Sequence, residues 1–177
     1  TNGTDNNSSL ATVLFSSTVG DTTKVGAIIV TGNLDLDGNI IKTSDSSAGA
    51  TSINVSVTSN LGADVTTTGS QTYTGAVTLS ANNTLTTTSN GSVSFGSITN
   101  GAQTLSITTD GTGDVTFTDD VGGSAGLNGL TISTNDFNAV DLKVGGTISI
   151  TNTGSSSEIT GVIANDGDAA VFTTAGA

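Results

Sequence analysis

One short pattern recurs in the middle of the chain. Residues 92–109 read SVSFGSITNGAQTLSITT, and residues 110–135 read DGTGDVTFTDDVGGSAGLNGLTISTN. In each half, two runs of alternating apolar and polar residues are separated by a corner rich in Gly, Asn and Asp. Tyr73, Phe95 and Phe117 are evenly spaced along the chain. Their spacing falls within the period of about 20–25 residues that is typical of stacked units, which bury their apolar faces against one another.

The pattern extends to both sides of this stretch. Residues 13–30 align without a gap on residues 115–132, and the matched positions keep their apolar character. Every other segment between residues 10 and 177 is also short and alternating, and none of ten residues or more keeps a helical period. We therefore expect a single all-β domain over residues 10–177. Residues 1–9, TNGTDNNSS, are polar and rich in turn formers, and we expect a flexible or linking segment there.

Two all-β architectures fit this pattern. The regular period favours a parallel β-solenoid (β-helix) with coils of about 20–25 residues, in which the same inward position recurs in each coil. The alternative is an antiparallel β-sandwich, because Asn-Gly and Asp-Gly pairs favour tight hairpin turns. The same pairs suit the corners of a solenoid, since Asn and Gly tolerate a positive φ. The five pairs are Asp37-Gly38, Asn90-Gly91, Asn100-Gly101, Asp110-Gly111 and Asn128-Gly129.

The charge and composition exclude several functions. The net charge is −12, with 15 acidic residues against Lys24, Lys42 and Lys143 and no arginine, so the chain lacks the basic clusters that bind nucleic acid. No apolar run approaches the ~20 residues of a membrane span, and we expect no membrane insertion. Without His or Cys there is no Ser-His or Cys-His nucleophile system and no zinc set built on those ligands. Paired carboxylates remain, but with no Trp, one Tyr and no Arg they lack platforms for a sugar, so we expect no enzyme.

We expect no cofactor, and calcium is the metal ion that the residues would suit best. Hard cations prefer several carboxylate and carbonyl oxygens on a tight turn that contains Gly. We favour the interpretation that these acids form turns and keep the chain soluble, and calcium binding is the alternative. The candidate ligands are Asp35, Asp37 and Asn39 in LDLDGN, Asp110 and Asp114 in TDGTGDVTF, and the following Asp119 and Asp120.

Threonine-rich segments suggest a further kind of binding. The chain has 35 Thr and 23 Ser, and flat rows of Thr on a solenoid can order water, as in ice-binding proteins. Such a face needs Thr-x-Thr at the same place in each coil. The pairs Thr66/Thr68, Thr72/Thr74, Thr84/Thr86 and Thr116/Thr118 occur at uneven offsets, which favours an ordinary solvent-exposed face.

Residues 91–134, GSVSFGSITNGAQTLSITTDGTGDVTFTDDVGGSAGLNGLTIST, resemble the repeat region of large secreted bacterial surface proteins. These are the filamentous-haemagglutinin-like and β-strand-repeat adhesins. The resemblance is clearest over residues 64–135, returns at 13–32 and is weak over 136–177. It implies a right-handed parallel β-helix, secretion, and a role as an adhesin shaft or extracellular scaffold.

We therefore expect a structural or interaction protein of the bacterial cell surface, the extracellular matrix or a biofilm. It would be a rigid solenoid segment of an adhesin or the subunit of an extracellular filament. The alternative is a binding module for calcium, carbohydrate or ice. The chain starts at Thr1 and ends on the apolar run AAVFTTAGA, without polar caps. As partners we expect further copies, associated end to end, or the continuation of a longer chain, and glycans of host or cell surfaces as a further class.

Overall fold

The computed structural model describes residues 10–42, 45, 47–100, 102–165 and 170–174. These residues are all-β and contain no helix, and their parallel strands stack as a β-solenoid of about seven turns. The predicted solenoid is thus confirmed, and the antiparallel sandwich is wrong.

The described residues form twenty strands. The first ten are β1 (Thr12–Phe15), β2 (Val25–Val30), β3 (Asn33–Leu36), β4 (Ile41–Lys42), β5 (Ser47–Ala48), β6 (Ala50–Val55), β7 (Ser59–Leu61), β8 (Val65–Thr67), β9 (Gln71–Leu79) and β10 (Asn83–Thr87). The second ten are β11 (Val93–Asn100), β12 (Thr104–Thr108), β13 (Val115–Phe117), β14 (Val121–Ala125), β15 (Leu127–Thr134), β16 (Phe137–Ala139), β17 (Leu142–Asn152), β18 (Glu158–Ile159), β19 (Ile163–Asn165) and β20 (Ala170–Thr174).

The strand pairings define three faces, which each coil visits in the same order. Face 1 consists of β1, β3, β7, residues 77–79, residues 98–100, β14, residues 142–144 and β19. Face 2 consists of β8, β10, β12, residues 129–134, residues 147–152 and β20, preceded by bridges at Val19 and Ile40. Face 3 consists of β2, β6, residues 71–73, residues 93–95, β13, β16 and β18.

The coils differ in length. On face 1, the coil that runs from Leu34 to its partner Ser59 is longer than the next coil, which runs from Ser59 to Val77. The longer coil contains the antiparallel pair β4–β5, which packs against β8. Extra residues are therefore accommodated outside the stacked ladders.

Aromatic side chains stack along the inner side of face 3. The ring centroids of Tyr73 and Phe95 are 5.2 Å apart, those of Phe95 and Phe117 are 5.1 Å apart, and both pairs are nearly parallel. Phe137 pairs with Val115 in the next inward row of the same face, and its ring makes an edge-on contact with Phe117 at 6.0 Å. All four rings are buried. The even spacing of Tyr73, Phe95 and Phe117 in the sequence thus equals the number of residues in one coil.

Buried polar residues interrupt the apolar rows at several positions, among them Ser59, Asn83 and Gln71. Gln71 lies between Ile53 and Val93 on face 3, and its Nε2 donates hydrogen bonds to the carbonyl oxygens of Val65 and Thr86. The hydroxyl of Tyr73 donates to Gln71 Oε1 over 3.2 Å. Burial raises the pKa of Tyr73 above its usual range, so the hydroxyl keeps the proton that it donates.

A row of buried polar residues closes the corner between faces 2 and 3. The Thr109 hydroxyl donates to the carbonyl oxygen of Gly113 over 2.7 Å. The side chains of the equivalent residues donate to corner carbonyls in their own coils, and this satisfies buried groups that would otherwise be costly. The corner row consists of Thr67, Thr87, Thr109, Thr134 and Asn152. A Cβ at Gly113 would lie 2.3 Å from the Gly91 carbonyl oxygen, so the coils approach closely here.

The alignment of residues 13–30 on residues 115–132 does not place equivalent positions together. Val13 and Phe15 pair with β3 on face 1, whereas Val115 and Phe117 lie on face 3. The alternation is the same on every face, so it identifies strands but not the face to which they belong. Two of the Asn-Gly pairs that the alternative sandwich would have used for hairpins form none: Asn90 turns a corner with φ of 56°, and Asn128 and Gly129 lie inside β15.

We predict that Phe95→Ala lowers the free energy of unfolding by about 3–5 kcal/mol, because the cavity lies between two stacked rings. Ser94→Ala changes the neighbouring outward residue and should stay within about 0.5 kcal/mol of the parent chain. Urea unfolding followed by circular dichroism measures both. Equal stability of the two variants would contradict the stack.

Candidate functional site

The first group of predicted calcium ligands spreads along one side of a coil. Asp35 points outward on β3 and accepts a hydrogen bond from Asn60 Nδ2 over 2.9 Å. Asn39 Oδ1 accepts the backbone N–H of Asp64 in the next coil over 2.9 Å. Asp37 lies exposed between them. Two of these three side chains, Asp35 and Asn39, therefore accept hydrogen bonds from the following coil.

The second group divides between two corners. Asp110 and Asp114 precede β13, and Asp119 and Asp120 follow it, so a strand of face 3 separates the two pairs. Asp119 Oδ1 accepts the backbone N–H of Asp120 over 2.9 Å. In the part of the chain that the structure describes, no three acidic side chains come together in a group that could hold a metal ion. Calcium binding stays a prediction.

Asp114 belongs to a row that we call the capping ladder, formed by Ser70, Ser92, Asp114, Asp136 and Ser156. In this row the side-chain oxygen of one residue accepts the backbone N–H of the next residue, one coil later. The N···O distances are 3.2, 3.1, 3.0 and 2.8 Å in chain order. Asp114 Oδ1 also accepts a hydrogen bond from Asn135 Nδ2 over 2.8 Å.

Other corners use the same kind of contact. Asp64 accepts the N–H of Thr84, Asn82 that of Thr104, Asn90 that of Thr112 and Asp141 that of Val162, each one coil downstream. Sequence reasoning missed this role. The sequence does contain a signal for this role, because an Asn, Asp or Ser recurs at predicted corners that are one coil apart.

A surface groove of about 480 Å³ contains two of the three lysines. It is lined by Thr22, Thr23, Lys24, Lys42, Ser47, Ala48, Thr68 and Thr88. Lys24 Nζ donates to Thr68 Oγ1 over 3.0 Å, and Lys42 Nζ lies 2.6 Å from Asp45 Oδ2. Hydrogen bonds from Lys42 and Ser47 lower the pKa of Asp45 to about 2, so this ion pair persists until the pH falls to that value.

Face 2 presents regular rows of hydroxyl groups, which we call the hydroxyl face. Thr84, Ser106, Thr131 and Ser149 form one outward row, and Thr86, Thr108, Ser133 and Thr151 form the next. Strand geometry sets a spacing of about 4.8 Å between coils and about 6.7 Å along a strand. The uneven offsets in the sequence arise because Thr72 and Thr116 lie on face 3, followed by Thr74 and Thr118 at its end, whereas Thr84 and Thr86 lie on face 2. Thr66 continues the second row but is buried, where β4 and β5 contact β8.

The two end coils of the described solenoid expose apolar side chains. In the first coil these are Leu10, Leu14, Val25 and Ile29, and in the last coil they are Val162, Ile163, Val171 and Phe172. Within the described residues, β1 and β2 pair only with the second coil, and β18, β19 and β20 pair only with the preceding coil. Each end therefore presents backbone edges beside apolar side chains.

Comparison with protein-family models, with curated proteins and with solved structures found no match to this chain. Among the described residues, none forms a helix with the length and apolar character needed to cross a membrane. The geometry of the chain itself is therefore the basis for a functional proposal.

We predict that Asp114→Ala lowers the free energy of unfolding by about 1–3 kcal/mol, because the N–H of Asp136 and the amide of Asn135 lose a charged acceptor. Asp114→Asn keeps an acceptor oxygen and should restore much of the loss. Asp110→Ala, at an exposed carboxylate of the same corner, serves as the control. Thermal and urea unfolding in calcium-free buffer measure these effects. An Asp110→Ala loss as large as that of Asp114→Ala would argue against the capping ladder.

Proposed function

We propose that this protein is a rigid structural segment of the bacterial cell surface or extracellular matrix. It serves either within the shaft of an adhesin or as the subunit of an extracellular filament. The observation that supports this proposal is the continuity of the inward rows, which pass from coil to coil in register except where face 1 shifts between Ile98 and Asn100. Such a scaffold transmits load and sets distance, and it needs no reaction centre.

The stiffness of the segment comes from contacts between coils. Each inner coil is hydrogen-bonded to its neighbours on three faces, and side chains such as Asp136 and Asp141 bind the corners of the next coil. Neighbouring strands lie about 4.8 Å apart, so about seven coils extend about 34 Å along the axis. The length of a shaft is then a simple multiple of the number of coils.

The exterior suits an exposed scaffold. The net charge of −12 opposes nonspecific association, and the rows of hydroxyl groups keep the faces polar without adding charge. The extracellular location itself rests on the resemblance of residues 64–135 to surface-protein repeats.

Labelling of intact source cells tests this proposal. We expect gold-conjugated antibodies raised against the purified chain to mark the outside of unpermeabilised cells or the surrounding matrix. Brief protease treatment of the cells should remove the label together with the antigen. Label that appears only after permeabilisation would contradict a surface role.

A second candidate function is binding of an ordered water layer, as on ice. The hydroxyl face supports it, because its two rows keep the same positions over four coils and carry no charged or large apolar side chain. A crystalline polysaccharide would fit this face less well, since it contains no aromatic residue on which sugar rings stack. Calcium at the acidic corners and a saccharide in the groove beside Lys24 and Lys42 are weaker versions of the same binding-module hypothesis.

If the hydroxyl face binds ice, the purified chain will show thermal hysteresis, and Thr131→Tyr will abolish it by breaking the flat row. Thr116→Tyr places the same ring on face 3 and should leave the activity unchanged. A nanolitre osmometer measures the difference between the melting and freezing temperatures for the parent chain and both variants. No hysteresis in the parent chain would rule out ice binding.

A further inference from the structure

We propose that the first and last coils dock a second copy of this chain head to tail, in the register that continues the inward rows. This inference rests on the proposed role as part of a shaft or filament, and it names the partner and the contacts. The interface would repeat, between two molecules, the coil-to-coil contact that the molecule already makes within itself.

The inward side chains of the last coil lack the cover that their equivalents have. Phe172 pairs with Ile150 on face 2, yet Phe172 is 46% exposed whereas Ile150 is 2% exposed. Ile163 pairs with Leu142 on face 1, and their exposed fractions are 39% and 0%. Covering such apolar surface is favourable. The last coil therefore exposes apolar side chains at positions that belong to the core in the preceding coil.

Outward-facing residues of the two end coils provide independent support for the docking of a second copy. Leu14 occupies an outward position on face 1 where the next coils have Asp35 and Asn60. Ile29 on face 3 is followed by Asn54 and Thr72. At the other end, Val171 on face 2 follows Ser149 and Thr131. The outward residues of the inner coils in these rows are polar, and the change to apolar residues at both ends indicates surfaces that are covered in use.

The register of the joint follows from the rows. The Val13 row runs through Leu34 and ends at Ile163, so Val13 of the second copy would lie on Ile163 of the first. In the same way Val19 would lie on Phe172 at the end of face 2. On face 3 the row leads from Val30 to Ile159, although Val30 is already buried in the single chain. All three pairs are apolar. On faces 1 and 3 the joint also places β1 and β2 beside β19 and β18, at edges that have no partner within the described residues, where parallel ladder bonds form.

This contact uses different surfaces on the two copies. A head-to-tail contact whose rotation does not close generates an open filament rather than a ring. Because the contact continues the axis of the solenoid, each added copy would lengthen the filament by about 34 Å, the rise of about seven coils.

A cysteine cross-link tests the register, because the natural chain has no cysteine. If Val13 lies on Ile163, the neighbouring exposed residues Leu14 and Ala164 face each other with Cα atoms about 5 Å apart, within disulfide range. Mixing Leu14→Cys chains with Ala164→Cys chains under mild oxidation should therefore give a heterodimer on non-reducing gels. Thr160→Cys, exposed in the same last coil but outside this register, is the matched control for Ala164→Cys.

A heterodimer with Ala164→Cys well above that with Thr160→Cys would support the proposal. Equal yields with both partners, or no cross-link in either mixture, would overturn it and leave the end coils to flanking chain or to another protein. The sedimentation velocity of the natural chain gives a second reading, since the weight-average size should increase with concentration. A single monomer boundary at all concentrations would overturn the proposal, while labelling at the cell surface would still support a scaffold.

Discussion

The fold depends on one constraint, that an inward side chain is covered above and below by the side chains at the same position in neighbouring coils. Phe95 illustrates it, because its ring lies between those of Tyr73 and Phe117 and is inaccessible to solvent. The core is therefore a set of rows rather than a centre, and a chain with 3% aromatic residues can fill it. The same constraint leaves the end coils half covered, which is why apolar exposure is concentrated there.

The polar residues serve the same stacking. Thr109 and its equivalents close a corner from the inside, and the capping ladder from Ser70 to Ser156 joins the corners from the outside. An Asp or Asn that looks like a metal ligand in the sequence is thus used, in several cases, as an acceptor for the next coil.

The sequence was sufficient for the fold class because alternation and period are one-dimensional signals. The row of Tyr73, Phe95 and Phe117 was visible as an even spacing in the sequence, and the structure confirms it. The assignment of strands to faces was not visible, because Val13 and Val115 have the same alternation on different faces and the coils differ in length. For the same reason the threonine pairs looked irregular in the sequence and favoured an ordinary solvent-exposed face, and Gln71 was not expected in the core. The capping role of Asp114 needed the coil register before it was recognisable.

Parallel stacking of successive coils is the central claim, and nuclear Overhauser contacts in the middle coils test it most directly. We expect contacts from the ring protons of Phe95 to those of both Tyr73 and Phe117, and inter-strand backbone contacts that pair residue 93 with residues 71 and 115. We also expect no strong Hα–Hα contacts between neighbouring strands, because those mark antiparallel pairing. A strong Hα–Hα pattern across residues 93–117, with no ring contacts between Phe95 and Phe117, would contradict the account.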